Sequence, residues 1–173
     1  RLEQIAMRLE VKEGKNGCVL INDSYNSDLA SLDIALDFMS RRSDDKGKKR
    51  TLILSDMLET GQSGKLLYRQ VAELVHSRGV EKIIGVGEEI RTAAARFEIE
   101  KYFFRTTEEL LESDLLAGLR NEVILVKGSR AFHFDRISDR LDLKVHETIL
   151  EINLNALVDN LNYYRSKLKP ETK

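Results

Sequence analysis

Tryptophan is absent from this chain, and cysteine and proline occur once each. A lone Cys18 rules out an internal disulfide framework and a cysteine-rich metal site, so a reducing, cytoplasmic setting is expected and Cys18 itself reads as a small buried hydrophobe. The three histidines, His76, His133 and His146, are too scattered for metal-ligand spacing. No apolar run approaches the roughly 20 residues that a membrane span needs, and the first residues lack the apolar stretch of a signal peptide. Charge of one sign is also missing. The 28 basic residues stand against 29 acidic ones, which leaves no global field to recruit nucleic acid or an anionic membrane, and any phosphate binding has to be local. No Walker A sequence is present. Gly85-Val86-Gly87 lacks the third glycine of a dinucleotide fingerprint and reads as a tight strand-to-helix turn.

What is there is the material of a folded domain. Hydrophobic residues make up 42% and charged residues 33% of 173 positions, enough to bury one core of ordinary size and to leave a short appendage. The chain opens with Arg1 instead of Met, so it is expected to be a piece of a longer protein with catalytic parts elsewhere. Short apolar, β-branched runs at 18–21, 51–54, 82–86, 101–104 and 123–126 alternate with stretches at 31–39, 65–76, 88–97, 107–116 and 132–141 whose apolar residues are spaced by three and four. The first set predicts strands, the second helices. Thr106 or Thr107 ahead of Glu108 and Glu109 reads as an N-cap with an acidic first turn, and Gly79 follows a helix ending in His76 and Arg78. Runs such as Thr51-Leu52-Ile53-Leu54 are apolar throughout, as strands covered on both faces must be. The expected architecture is α/β: a three-layer, Rossmann-like, doubly wound and mostly parallel sheet.

Two stretches depart from that alternation. Residues 41–50 are mostly charge and glycine, with Lys46, Lys48, Lys49 and Arg50 clustered, and read as a solvated connection. A second boundary falls at 144–148. Beyond it, 149–153 predicts one more strand, and Ala156, Leu157, Leu161, Tyr164 and Leu168 form a helical stripe ending at Pro170. That piece is too small to fold by itself. The division is therefore a domain at 1–144 and an incomplete unit at 145–173.

In open α/β sheets ligands bind beyond the C-terminal ends of the strands. Three polar clusters are expected there: Asn22-Asp23-Ser24-Tyr25-Asn26-Ser27-Asp28, Ser55-Asp56-Met57-Leu58-Glu59-Thr60-Gly61 and Lys127-Gly128-Ser129-Arg130. Each has an ordinary explanation. Asp23, Ser24, Asn26 and Asp28 suit a helix cap, Asp56 with Gly61 a plain turn, and the last cluster a helix entrance carrying surface charge. Together they demand three unrelated accidents on one edge. Lys127 and Arg130 around a glycine turn offer an ammonium and a guanidinium to a carboxylate or phosphate. Asp23 and Asp56 are acceptors for a ribose hydroxyl, a cation or a substrate ammonium, and Tyr25 and Asn26 can pack against a base. Positioning, not covalent chemistry, is the role these residue types suit.

The strings INDSYNSD, ILSDMLETG and LVKGSR, in this order, resemble the C-terminal domain of the Mur ligases, and within them the branch that adds D-alanyl-D-alanine to UDP-N-acetylmuramoyl-tripeptide. The resemblance covers 1–144. It departs from the family at Ser27-Asp28-Leu29, where Ala-Asn-Pro is usual, at Thr60, where Leu is usual, and at Asp135, a shorter acidic residue after Lys-Gly-Ser-Arg. What the resemblance implies is ATP- and Mg²⁺-dependent amide formation through an acyl phosphate, with the phosphate loop and most metal ligands on a central domain. This domain would then be a lid: Asp23, Tyr25 and Asn26 would meet the nucleotide, and Asp56, Lys127, Gly128, Ser129 and Arg130 would shape the dipeptide pocket. No residue here would be catalytic or hold a metal. Glu151-Ile152-Asn153-Leu154-Asn155-Ala156-Leu157, Asn160-Leu161 and Tyr164-Arg165 resemble the start of alanine racemase, stopping short of the lysine that holds pyridoxal phosphate there. A racemase fused to such a ligase would make the D-alanine that the dipeptide contains. The competing readings are a non-catalytic Rossmann-like module for a nucleotide or small anion, and a stand-alone doubly wound enzyme related to phosphotransferases. A Gly-Lys-Thr loop a few hundred residues before Arg1 would favour the ligase.

Overall fold

The computed structural model describes residues 9–24, 27–42, 47–57, 63–144 and 163. The chain divides into two compact units, Arg1–Asp142 and Leu143–Lys173. The strand and helix expected at 149–168 lie outside the described residues, Tyr163 excepted, which is helical.

The first unit is a six-stranded sheet in the order β1-β2-β6-β3-β4-β5. Its strands are β1 (Glu10–Glu13), β2 (Val19–Asp23), β3 (Lys49–Ser55), β4 (Lys82–Val86), β5 (Glu100–Phe104) and β6 (Glu122–Lys127). All pairings from β2 to β5 are parallel, and only β1 runs antiparallel, against β2. The helices are α1 (Leu29–Ser40), α2 (Gly64–Ser77), α3 (Glu88–Thr92), α4 (Thr107–Glu112) and α5 (Asp135–Leu141). The expected doubly wound α/β sandwich is the architecture found.

Alternation along the central strands divides the core into two layers. Ile21, Leu52, Leu54, Val123 and Leu125 face α1, α2 and α3 through Leu32, Leu36, Leu67, Val71 and Ile90. Leu20, Ile53, Ile124 and Val126 face α4 and α5 through Leu110, Ile137 and Leu141. Each such side chain taken fully from water contributes about 1.5–3 kcal/mol.

Three expected helices are shorter than their apolar spacing suggested. After α3 the chain tightens into a 3-10 turn at Ala94–Arg96, because Thr92 bonds back to the Glu89 carbonyl instead of extending the ladder. The α4 helix stops at Glu112, where Ser113 turns extended and its hydroxyl donates to the Leu110 carbonyl. The segment expected to begin a helix at Phe132 is a 3-10 turn, Arg130–Phe132, followed by left-handed His133. Strand β1 was not anticipated. Its four residues are all exposed, so it carries no apolar signal for a strand. Thr106 is the cap of α4, its hydroxyl accepting from the Glu109 amide at 3.2 Å. Gly79 follows α2 with φ +71, the left-handed conformation that ends helices.

Candidate functional site

Because β2, β6 and β3 are adjacent and parallel, the three polar clusters leave the sheet side by side at one rim. Register places Asp23 opposite Lys127 and Lys127 opposite Leu54. The outcome is a direct contact: Lys127 Nζ donates to Asp23 Oδ2 at 2.7 Å, with both side chains 3% exposed or less. The ammonium that the sequence offered to a ligand is thus committed to a neighbouring strand end. Taking either charge away would strand the other in a low-dielectric interior.

Asp56 is committed as well. Its Oδ1 accepts from the Ile90 amide at 2.8 Å and its Oδ2 from the Glu89 amide at 3.3 Å. It therefore caps α3, using a carboxylate from another loop to satisfy two orphan donors of the first turn. Gly87 makes room for this. Its φ is +131, and a Cβ there would lie 2.2 Å from the Asp56 carboxyl carbon, which is the physical reason for the Gly-Val-Gly turn. The Asp56 amide continues the sheet by donating to the Val86 carbonyl at 2.9 Å. Next to it the Met57 amide donates to Tyr68 Oη at 3.2 Å. Burial pushes the Tyr68 hydroxyl well above the usual phenol range, and the Asp56 charge adds to the effect.

The first loop joins the same structure. Ser27 Oγ donates to the Asp56 carbonyl at 3.5 Å. Asp28 caps α1, accepting from the Ser31 amide at 2.7 Å, and its own amide donates to Ser31 Oγ at 3.4 Å. The departures from the family string at Ser27 and Asp28 thus have local structural roles. Tyr25 and Asn26 lie outside the described residues, as do Leu58, Glu59, Thr60 and Gly61.

The third loop carries Gly128, Ser129 and Arg130. Gly128 lets Phe134 pack against the turn, since a Cβ would meet that ring at 2.5 Å. Ser129 is 9% exposed, and its Oγ is buried with no hydrogen-bond partner among the described residues. A buried hydroxyl left so costs about 1–3 kcal/mol. Arg130, by contrast, is exposed. Sequence reasoning placed Ser55 in the second cluster without a role, and its fully buried hydroxyl accepts from the Ser129 amide at 2.9 Å and donates to the Asp56 carbonyl at 3.0 Å. A serine at a strand end gives no sign of a partner 74 residues away.

Known proteins are similar to this chain in sequence and in fold. A sequence profile of the family described as "Mur ligase, glutamate ligase domain" aligns with residues 7–130, most of the chain. The chain belongs to the Mur ligase family. This Mur ligase domain is similar to the UDP-N-acetylmuramoyl-tripeptide--D-alanyl-D-alanine ligase of Rickettsia prowazekii (strain Madrid E), with 31% identity over 122 residues, 69% of this chain and 26% of that protein. It is also similar to the ligase of the same name from Escherichia coli (strain K12), with 25% identity over 120 residues, again 69% and 26%. The Mur ligase domain accordingly spans about a quarter of those relatives. Among solved structures, a MurF ligase from Thermotoga maritima in complex with ADP superposes with a TM-score of 0.60 at 20% identity, over 80% of this chain and 31% of that one. A single domain of a putative ligase from Haemophilus ducreyi superposes at 0.55 with 14% identity, over 77% of this chain and 97% of that one. At these identities the two superpositions establish the fold of the Mur ligase domain.

Proposed function

We propose that this domain closes over the substrates of an ATP-dependent ligase that joins D-alanyl-D-alanine to UDP-N-acetylmuramoyl-tripeptide during cytoplasmic peptidoglycan synthesis. The observation that carries the reading is the rim itself, where three loops meet through Asp23, Asp56 and Lys127 and leave Ser129 Oγ buried with no partner among the described residues. The relatives that bear this ligase's name support it. Since the domain spans about a quarter of their length, the proposal includes N-terminal and central domains joined in cis. It also includes the start of an alanine racemase at 145–173, whose pyridoxal phosphate would be held by residues beyond that stretch.

Among the described residues no cluster of His, Cys, Asp or Glu could hold a metal ion. By this reading Mg²⁺ would be held mainly by the central domain. ATP supplies the activation of the tripeptide carboxylate. What this chain's residues do is bind and position. The hydroxyl of Ser129 and the guanidinium of Arg130 suit the dipeptide carboxylate, which accepts several charge-assisted hydrogen bonds at once. Lys127 and Asp56 shape that pocket from behind, and Gly128 lets Phe134 close its floor. The family resemblance assigns Asp23, Tyr25 and Asn26 to the nucleotide, Tyr25 and Asn26 lying outside the described residues. Closure then holds the dipeptide amine against the activated carboxylate and keeps water away, which lowers the barrier by several kcal/mol.

The test is phosphate release that depends on D-alanyl-D-alanine. The 173-residue chain alone should show none above background, and the full-length ligase should show it. In that ligase Arg130→Ala should raise the dipeptide KM at least tenfold. Turnover by the chain alone would overturn the lid assignment, and an unmoved KM would overturn the pocket.

A further inference from the structure

One hydroxyl links the second and third loops of the rim, and the sequence reading gave it no role of its own. Ser55 ends β3, is fully buried, and is bonded on both sides: its Oγ accepts from the Ser129 amide at 2.9 Å and donates to the Asp56 carbonyl at 3.0 Å. Asp56 is itself tied to α3 through the Glu89 and Ile90 amides and to β4 through the Val86 carbonyl. A continuous chain of hydrogen bonds therefore runs from the first turn of α3 through Asp56 and Ser55 to the peptide N–H of Ser129. That N–H starts the turn that carries Ser129 Oγ, the buried hydroxyl still lacking a partner among the described residues. A hydroxyl kept only for packing would not need both an acceptor and a donor role, and alanine would fill nearly the same space.

We infer that Ser55 is a positioning residue for the dipeptide: by anchoring the Ser129 peptide it sets where the Ser129 hydroxyl and the Arg130 guanidinium stand before substrate arrives. Ser55 touches no substrate and acts through Ser129. The inference rests on the ligase reading above. Preorganised donors gain their effect from not having to be oriented when the ligand binds. Releasing the Ser129 amide leaves a buried donor free to turn toward another partner and carry its side chain with it.

The experiment is steady-state kinetics on the full-length ligase carrying Ser55→Ala or Ser55→Cys, the second being close to serine in volume and a weak hydrogen-bonding group. Each variant's fold is checked by circular dichroism, and the cysteine variant carries the test should the alanine variant fail to fold. The KM for D-alanyl-D-alanine should rise fivefold or more, while the KM for ATP stays within twofold. A merely structural serine would lower the melting temperature and the active fraction and leave the dipeptide KM where it was. A folded variant with dipeptide KM within twofold of the parent, in an enzyme whose parent form turns over, overturns the role of Ser55 and leaves the ligase reading standing. A parent enzyme showing no dipeptide-dependent phosphate release overturns both.

Discussion

Removing the ammonium of Lys127 by Lys127→Met should destabilise the domain heavily, and the magnitude follows from burial. Asp23 and Lys127 pair at 2.7 Å with side-chain exposures of 3% and 0%. Methionine fills most of the space of lysine, so little packing is lost, but Asp23 is left as a carboxylate out of water. Breaking a buried pair from one side costs about 3–5 kcal/mol. An exposed pair would cost about 0–1 kcal/mol. For a unit of this size each kcal/mol shifts the melting temperature by about 3–4 °C, so a fall of roughly 10–20 °C is expected. The double variant Asp23→Leu/Lys127→Met removes both charges and should recover most of that loss, since apolar replacement of a buried pair is often neutral or stabilising. Urea unfolding of the parent, both single variants and the double variant closes a thermodynamic cycle whose coupling term isolates the pair. A loss below about 1 kcal/mol in Lys127→Met, or a double variant no better than the singles, would refute the claim that this contact holds the two strand ends together.

Further outcomes follow from other contacts. Gly87→Ala puts a methyl 2.2 Å from the Asp56 carboxyl carbon at a φ of +131; it should cost more than about 3 kcal/mol, adding backbone strain to loss of the α3 cap, and a cost under about 1 kcal/mol by chemical denaturation would show that Asp56 moves freely. Asp28→Ala removes the α1 cap and should cost about 1 kcal/mol, with Asp28→Asn recovering it and the dipeptide KM unchanged. The Lys49 ammonium, with Tyr102 Oη, holds the Glu100 carboxyl below the usual carboxylate range. A depressed carboxylate stabilises the fold above its unfolded value and loses that contribution as the pH falls through its folded value, so Glu100→Gln should lower the melting temperature slightly near neutrality, flatten the acid side of the profile and converge with the parent at low pH. Equal slopes in the parent and the variant would contradict this.

Much of this was readable from residues. The ends of the apolar runs pointed to a common rim because parallel strands covered on both faces must carry their polar residues past the C-terminal edge. Asp23, Asp56 and Lys127 were found that way. Their partners were not. The Asp23 contact to Lys127 spans 104 residues and the Asp56 cap on Ile90 spans 34, and neither spacing has a local signature. A free ammonium beside a glycine turn was the natural reading of Lys127-Gly128, and only the β2–β6 register turns it into a buried pair. Strand β1 hid for the opposite reason: four exposed residues carry no burial signal, and what makes them a strand is the edge of β2. The early ends of α3 and α4 go with threonine and serine hydroxyls returning to their own backbone, a competition that apolar spacing does not register, and the late start of α5 follows left-handed His133.

The place of β6 in the sheet orders events in time. The last strand of the domain to be made lies between the first two parallel ones, so a chain cut short before residue 122 has no middle to its sheet and no partner for Asp23. Nascent protein can accumulate helices and outer strand pairs while the rim is still missing its third loop. The junction of Asp23 with Lys127 is completed in one step, by insertion of the final strand.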